Sequence, residues 1–192
     1  MIRPLYDWMI EKAQSPASEK WLAGISFAES SFFPIPIDLM LIPMILANRV
    51  KAWRLATITL IFSVLGGVGG YLIGAFLFET VGQPIVDFYG YQDQFARFQD
   101  YYAEWGILIV LVAGFSPLPF KVVTIASGVV GMNPLVFTLA AIPARGARFY
   151  LVAGLLWWLG DPIREFIEKR LGLFTGVMAA LGIAGFVAIK YI

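Results

Sequence analysis

Long apolar runs, separated by short polar stretches, set the rhythm of this chain. Five stand out: Trp21–Ala47, Leu55–Phe78, Gly106–Gly131, Leu135–Leu159 and Leu171–Ile192. Each is long enough for a helix to cross about 30 Å of hydrocarbon, which takes about 20 residues. The second and fifth read as plain transmembrane helices. The second carries Gly66, Gly67, Gly69, Gly70 and Gly74, a density of small residues that predicts close helix–helix approach.

The first and third runs are interrupted. One is cut at Pro34 and Pro36, the other at Pro117 and Pro119. Proline removes a backbone donor and clashes with the preceding turn, and it drives the residue before it out of the helical region. Two prolines one residue apart therefore break a helix. The arms beside each break hold about 11–13 residues, roughly 17–20 Å at 1.5 Å per residue, too short to span. The pattern predicts re-entrant helical hairpins whose freed backbone groups face protein or water.

Loop charge favours this over two kinked spanning helices. If all five runs cross, the inner side holds Arg3, Lys12, Lys20, Arg97, Arg164, Lys169 and Arg170 against Arg49, Lys51 and Arg54 outside. If the broken runs return, those three join the inner side and Arg97 leaves it. Cytoplasmic loops favour Lys and Arg, so the returning arrangement fits better. The first hairpin would then enter from the cytoplasm and the second from outside. Pro34 and Pro117 stand 83 residues apart, as do Pro36 and Pro119, and the same shift sets Asp38 on Lys121. An inverted pair of broken helices is a transporter architecture with its site near midplane.

The expected organisation follows. Residues 1–20 form an amphipathic interfacial segment and 21–160 a membrane domain. Within it lie hairpin 1 at about 21–48, a helix at about 55–78, a surface helix at about 84–104, hairpin 2 at about 105–131 and a helix at about 134–159. Residues 161–192 supply a loop and a last transmembrane helix. The fold class is all-α integral membrane: three transmembrane helices, two oppositely oriented re-entrant hairpins and short interfacial helices. The N-terminus reads as cytoplasmic. It lacks a long apolar core and a cleavage site, so it is not read as a signal peptide.

Ionisable residues inside membrane segments are costly and so are functional candidates. Glu29, Asp38, Lys121, Arg145 and Arg148 qualify. Glu29 and Asp38 flank the first break and are candidate proton-coupling groups. Lys121, Arg145 and Arg148 are candidates for binding an anionic group, since the arginine fork matches phosphate. Structural alternatives stand beside these: an Asp38–Lys121 ion pair, Glu29 capping freed backbone, and arginines snorkelling to an interface.

Composition narrows the classes. Of 192 residues, 59% are hydrophobic and 14% charged, against about 45–50% and about 25% in soluble domains. A net charge of +1 gives no basic stripe for nucleic acid. The chain has no Cys and no His, which removes disulfides, thiolate chemistry, His-based nucleophile pairs and His-liganded zinc. Ser30, Ser31, Ser116 and Ser127 could act as nucleophiles only beside Lys121. Neither enzyme activity nor a cofactor or metal is expected.

Three stretches resemble the DedA family of SNARE-associated, or VTT-domain, membrane proteins, and its YqaA-like branch most closely. They are Glu29–Asp38, the Gly66–Gly74 helix, and Gly114–Lys121 running on to Ala126–Gly128. The likeness covers the chain from about Trp21 to Leu159. It implies paired re-entrant hairpins in the bacterial inner membrane and a flippase or scramblase activity that translocates an anionic lipid, undecaprenyl phosphate or a phospholipid, with proton coupling. It places the family's essential acids on Glu29 and Asp38. Two arginines usual in the second hairpin fall on Phe115 and Lys121, which makes Arg145 and Arg148 candidate replacements. Expected partners are membrane lipids with an anionic headgroup and protons, with room for a homo-oligomer. Two alternatives stay open: a proton-linked carrier of a small solute or ion, and a non-transporting scaffold.

Overall fold

The computed structural model describes residues 12, 15–34, 36–116 and 119–159. The expected interfacial segment, apart from its last few residues, lies outside the described residues. So do Pro117 and the expected C-terminal helix.

Among the described residues all regular structure is helical. Helix α1 spans Ser18–Ser31. The first break ends it: the amides of Phe32 and Phe33 both close back on the Ala28 carbonyl. After Pro34 and Pro36 the chain restarts as α2, Asp38–Ala47. A 3-10 turn at Arg49–Lys51 leads into α3, Ala52–Leu77. A π-turn at Phe78–Gly82 carries α3 on into α4, Gln83–Tyr89. Gly90, at φ 67°, ends α4 in the left-handed region that glycine tolerates. Helix α5 runs Gln92–Phe115. Ser116, before the second break, is extended at ψ 168°, as a residue preceding proline should be. Helix α6, Phe120–Val129, and α7, Pro134–Leu159, complete the described chain.

One boundary differs from expectation. No separate surface helix occupies 84–104. Its first part is α4, and its second part is the start of α5, continuous with the arm of the second break. Gly90 supplies the stop, whereas nothing near Trp105 and Gly106 removes a donor or forces a turn.

Side-chain contacts fix the directions. Glu19 meets Lys51 and Arg54, Ser26 bonds the Thr59 carbonyl, Ser30 meets Ser63, and Ser31 bonds the Gly66 carbonyl. Helix α1 therefore runs parallel to α3, and α2 must come back between them. The second half repeats this: Gly114 lies against Ala144 and Ser116 against Arg148, so α5 runs parallel to α7 and α6 returns. Between halves the sense reverses. Thr57 pairs with Tyr150 and Trp53 with Trp157, so α3 and α7 are antiparallel.

The two halves match in length: α2 and α6 have 10 residues each, α3 and α7 have 26 each. Their starts are 82 residues apart, Asp38 to Phe120 and Ala52 to Pro134. This is one less than the proline spacing. Asp38 is thereby equivalent to Phe120 and not to Lys121. The same shift places Ser63 on Arg145, and these two side chains touch at 2.7 Å. Equivalent residues of an inverted pair meet only where the pseudo-two-fold axis passes.

Helix α3 is the spine. The Phe27 backbone of α1 lies against Gly66, and the Ile125 backbone of α6 against Gly74. Either approach is closer than a Cβ would allow. Two cores result. One joins α1, α2, α3 and α7 through Leu22, Met40, Leu41, Leu55 and Phe149. The other joins α3, α5, α6 and α7 through Tyr71, Val110, Phe120 and Phe137. The outward faces carry exposed Leu65, Leu72, Phe76, Val112, Leu139 and Leu151. Two helices, Arg49–Tyr89 and Pro134–Leu159, are long and apolar enough to cross a membrane.

Gly66→Val and Gly74→Val should each destabilise the protein by about 1–3 kcal/mol or more through overpacking. A Cβ at Gly24 meets nothing within 4 Å, so Gly24→Ala should be neutral or slightly stabilising. Denaturant unfolding in detergent micelles measures both.

Candidate functional site

All five charged candidates gather between the two cores, where the breaks face each other across α3 and α7. Arg145, just before the middle of α7, is the deepest. Its side chain is 2% exposed and its guanidinium lies over the rings of Phe120 and Phe149, at 4.9 and 4.6 Å from their centroids. One ring belongs to each core. Its Nε donates to Ser63 at 2.7 Å, and one Nη to Glu29 Oε2 at 2.9 Å and Ser30 at 3.4 Å. Ser30 and Ser63 are joined at 2.8 Å, and Ser30 donates to Glu29 at 3.1 Å. Helices α1, α3 and α7 thus share one hydrogen-bonded network. A buried charge demands such a shell, because an unpaired one would cost several kcal/mol.

Arg148 lies three residues further along α7 and so on nearly the same face. One Nη donates to Asp38 Oδ2 at the start of α2, and the other to the carbonyl of Ser116 at the second break. This pair is less buried, with side-chain exposures of 17% and 19%. Asp38 Oδ1 is buried and has no hydrogen-bond partner among the described residues.

Lys121 crosses in the other direction. From α6 it donates to the carbonyl of Phe33 at 3.1 Å. Phe33 and Ser116 each precede a broken turn, so their carbonyls are freed by the breaks. A cation from the second half of the chain satisfies each. Thr124 adds a bond from α6 to the Ser30 carbonyl at 3.1 Å.

The structural alternatives come out differently from the sequence reading. Asp38 pairs with Arg148 and not with Lys121. The 82-residue helical register explains this: one residue turns a helix by about 100°, which sends Lys121 to a carbonyl on the opposite arm. Glu29 does not cap freed backbone but binds Arg145. Arg145 does not snorkel; its partners lie inside the bundle. Pro34, Pro36 and Pro119 flank the described part of the breaks. Ser63 was missed as a site residue. Two signals could have found it: Ser26, Ser30, Thr59 and Ser63 fall at i, i+4 spacing on two helices, and Ser63 aligns with Arg145.

Both acids come from the first half of the chain and all three cations from the second. Arg145→Leu strands Glu29 and should cost about 3–5 kcal/mol in stability. Adding Glu29→Leu should recover most of that loss. Chemical denaturation of the two variants decides it; a double variant no more stable than the single one would show that the residues are uncoupled.

No family model matches the chain, and no solved structure matches it. Similar chains do exist among known proteins. An uncharacterized protein of Haemophilus influenzae is 37% identical over 186 residues, covering 97% of this chain and 96% of that protein. An uncharacterized protein of Histophilus somni is 36% identical over 186 residues, covering 97% of each. A third, from Methanocaldococcus jannaschii, is 27% identical over 101 residues, 52% of this chain and 59% of that protein. At that identity over nearly the full length, the chain belongs to the family that includes the Haemophilus influenzae and Histophilus somni proteins.

Proposed function

We propose that this protein is a multi-pass transporter of the bacterial inner membrane that translocates an anionic lipid, with proton coupling. The observation that carries this reading is the charged layer buried where two broken helices of opposite sense meet. In a bilayer, α3 and α7, at about 39 Å each, cross the roughly 30 Å hydrocarbon core, while α2 and α6, at about 15 Å, reach only its middle. The broken segments then act as re-entrant hairpins from opposite faces. Irregular backbone at that depth requires a protein or water lining, and the Lys121 and Arg148 contacts supply it. Lys121, Arg145 and Arg148 together make this layer positive toward a phosphate, and Glu29 and Asp38 provide carboxylates for a proton. The apolar outer faces of α3 and α7 suit a lipid environment.

The resemblance to the DedA family supports undecaprenyl phosphate or a phospholipid as cargo. Phe115, where that resemblance expects an arginine, is followed by Ser116, whose carbonyl receives Arg148. Arg148 thus brings a guanidinium from α7 to the place where the hairpin lacks one.

One observation favours a second reading. Glu29 and Asp38 are each bonded to an arginine of another helix, as in a scaffold whose charges only tie the hairpins together. Reconstitution into vesicles with labelled undecaprenyl phosphate or phospholipids separates the two. Transport predicts cargo movement by the native chain and its loss in Asp38→Asn and Lys121→Ala variants that still fold. The scaffold predicts no movement above protein-free vesicles.

A further inference from the structure

The two arginine–carboxylate pairs are built differently. The Glu29–Arg145 pair is the more deeply buried and the more densely bonded of the two. Arg145 spends its Nε on Ser63 and an Nη on Glu29 and Ser30, and Phe120 and Phe149 take its ring-facing contacts. It lies where the halves meet about their pseudo-two-fold axis, bonded to its own equivalent, Ser63. A phosphate could reach it only by dismantling the joint that ties α1, α3 and α7.

The Asp38–Arg148 pair lies at the breaks and is partly exposed. Asp38 holds its arginine through Oδ2 alone, while Oδ1 is buried without a partner among the described residues. The other Nη of Arg148 rests on a neutral carbonyl, that of Ser116. A guanidinium engaged by one carboxylate oxygen and one neutral oxygen is under-used, because its fork suits two charged oxygens of a single anion. Lys121, opposite, is likewise hydrogen-bonded to a neutral carbonyl, of Phe33. Its charge has no carboxylate counterpart among the described ion pairs.

We propose that Arg148 is the exchangeable receptor for a phosphate monoester, with Asp38 as its resting occupant. The Glu29–Arg145 pair is a fixed joint that does not meet the cargo. An arriving phosphate takes the guanidinium fork from Asp38 and is balanced by Lys121. The inference rests on the reading of this cluster as an anion site and narrows it to one of the two arginines.

The test uses the full chain purified in a neutral detergent, with decyl phosphate and inorganic phosphate as probes and intrinsic tryptophan fluorescence as readout. Asp38→Asn removes the competitor and should bind decyl phosphate about tenfold more tightly than the native chain, the worth of one charge-assisted contact. Arg148→Gln should bind it at least about tenfold more weakly. Glu29→Gln should not share that gain and should lower the melting temperature. Three results would overturn the assignment: no decyl phosphate binding by the native chain, unchanged affinity in Arg148→Gln, or a gain in Glu29→Gln equal to that in Asp38→Asn. If Asp38→Asn does not fold, Arg148→Gln decides alone. Equal affinity for both probes would place a free anion in the site, against the lipid reading but with the exchange intact. Binding of decyl phosphate without lipid movement in vesicles would sink the transport reading only.

Discussion

A guanidinium held at 2% exposure between two apolar cores constrains everything around it. Removing that charge from water is tolerable only if hydrogen bonds and an opposite charge surround it. Arg145 obtains them from Glu29 and Ser30 on α1, Ser63 on α3, and one aromatic face from each core. To supply them, α1 must lie parallel to α3 and close to it, which the Gly66–Phe27 approach permits. Helix α7 must cross α3 in the opposite sense. The inverted arrangement of the halves and the location of their meeting point are thus tied to one side chain.

The helix breaks impose the second requirement. Carbonyls that lose their helical partners inside an apolar bundle need donors. The chain answers with long cations from its second half, Lys121 to Phe33 and Arg148 to Ser116. This cross-bracing brings the acids of one half and the bases of the other into one layer. A purely structural solution would have served with neutral donors. The use of charges, with one carboxylate oxygen of Asp38 left without a partner among the described residues, is what turns a packing problem into a candidate binding site.

Much of this was legible in the sequence. Proline chemistry marked the broken runs, and the cost of placing charge within long apolar runs picked out all five residues that gather in the site. The helix expected at about 134–159 appears as Pro134–Leu159. Pairing was not legible, because it depends on helical register. The prolines repeat at 83 residues and the helices at 82, and that single residue redirects Lys121 away from Asp38. Ser63 went unnoticed because its hydroxyl, four residues from Thr59 in an apolar helix, reads as a packing group until its alignment with Arg145 is known. The continuity of α5 through Trp105 was hidden by the change from polar to apolar side chains, which alters the surroundings without altering the backbone.

The central claim is that each broken run turns back, so that the two halves enter from opposite sides. The chain has no cysteine, so single cysteines can be placed freely and labelled with a membrane-impermeant maleimide from either face of oriented membranes. The account predicts that Lys20→Cys and Asn48→Cys react from one face, and Gln92→Cys and Asn133→Cys from the other. Labelling of positions 20 and 48 from opposite faces would mean that the first broken run crosses the bilayer, and would contradict it.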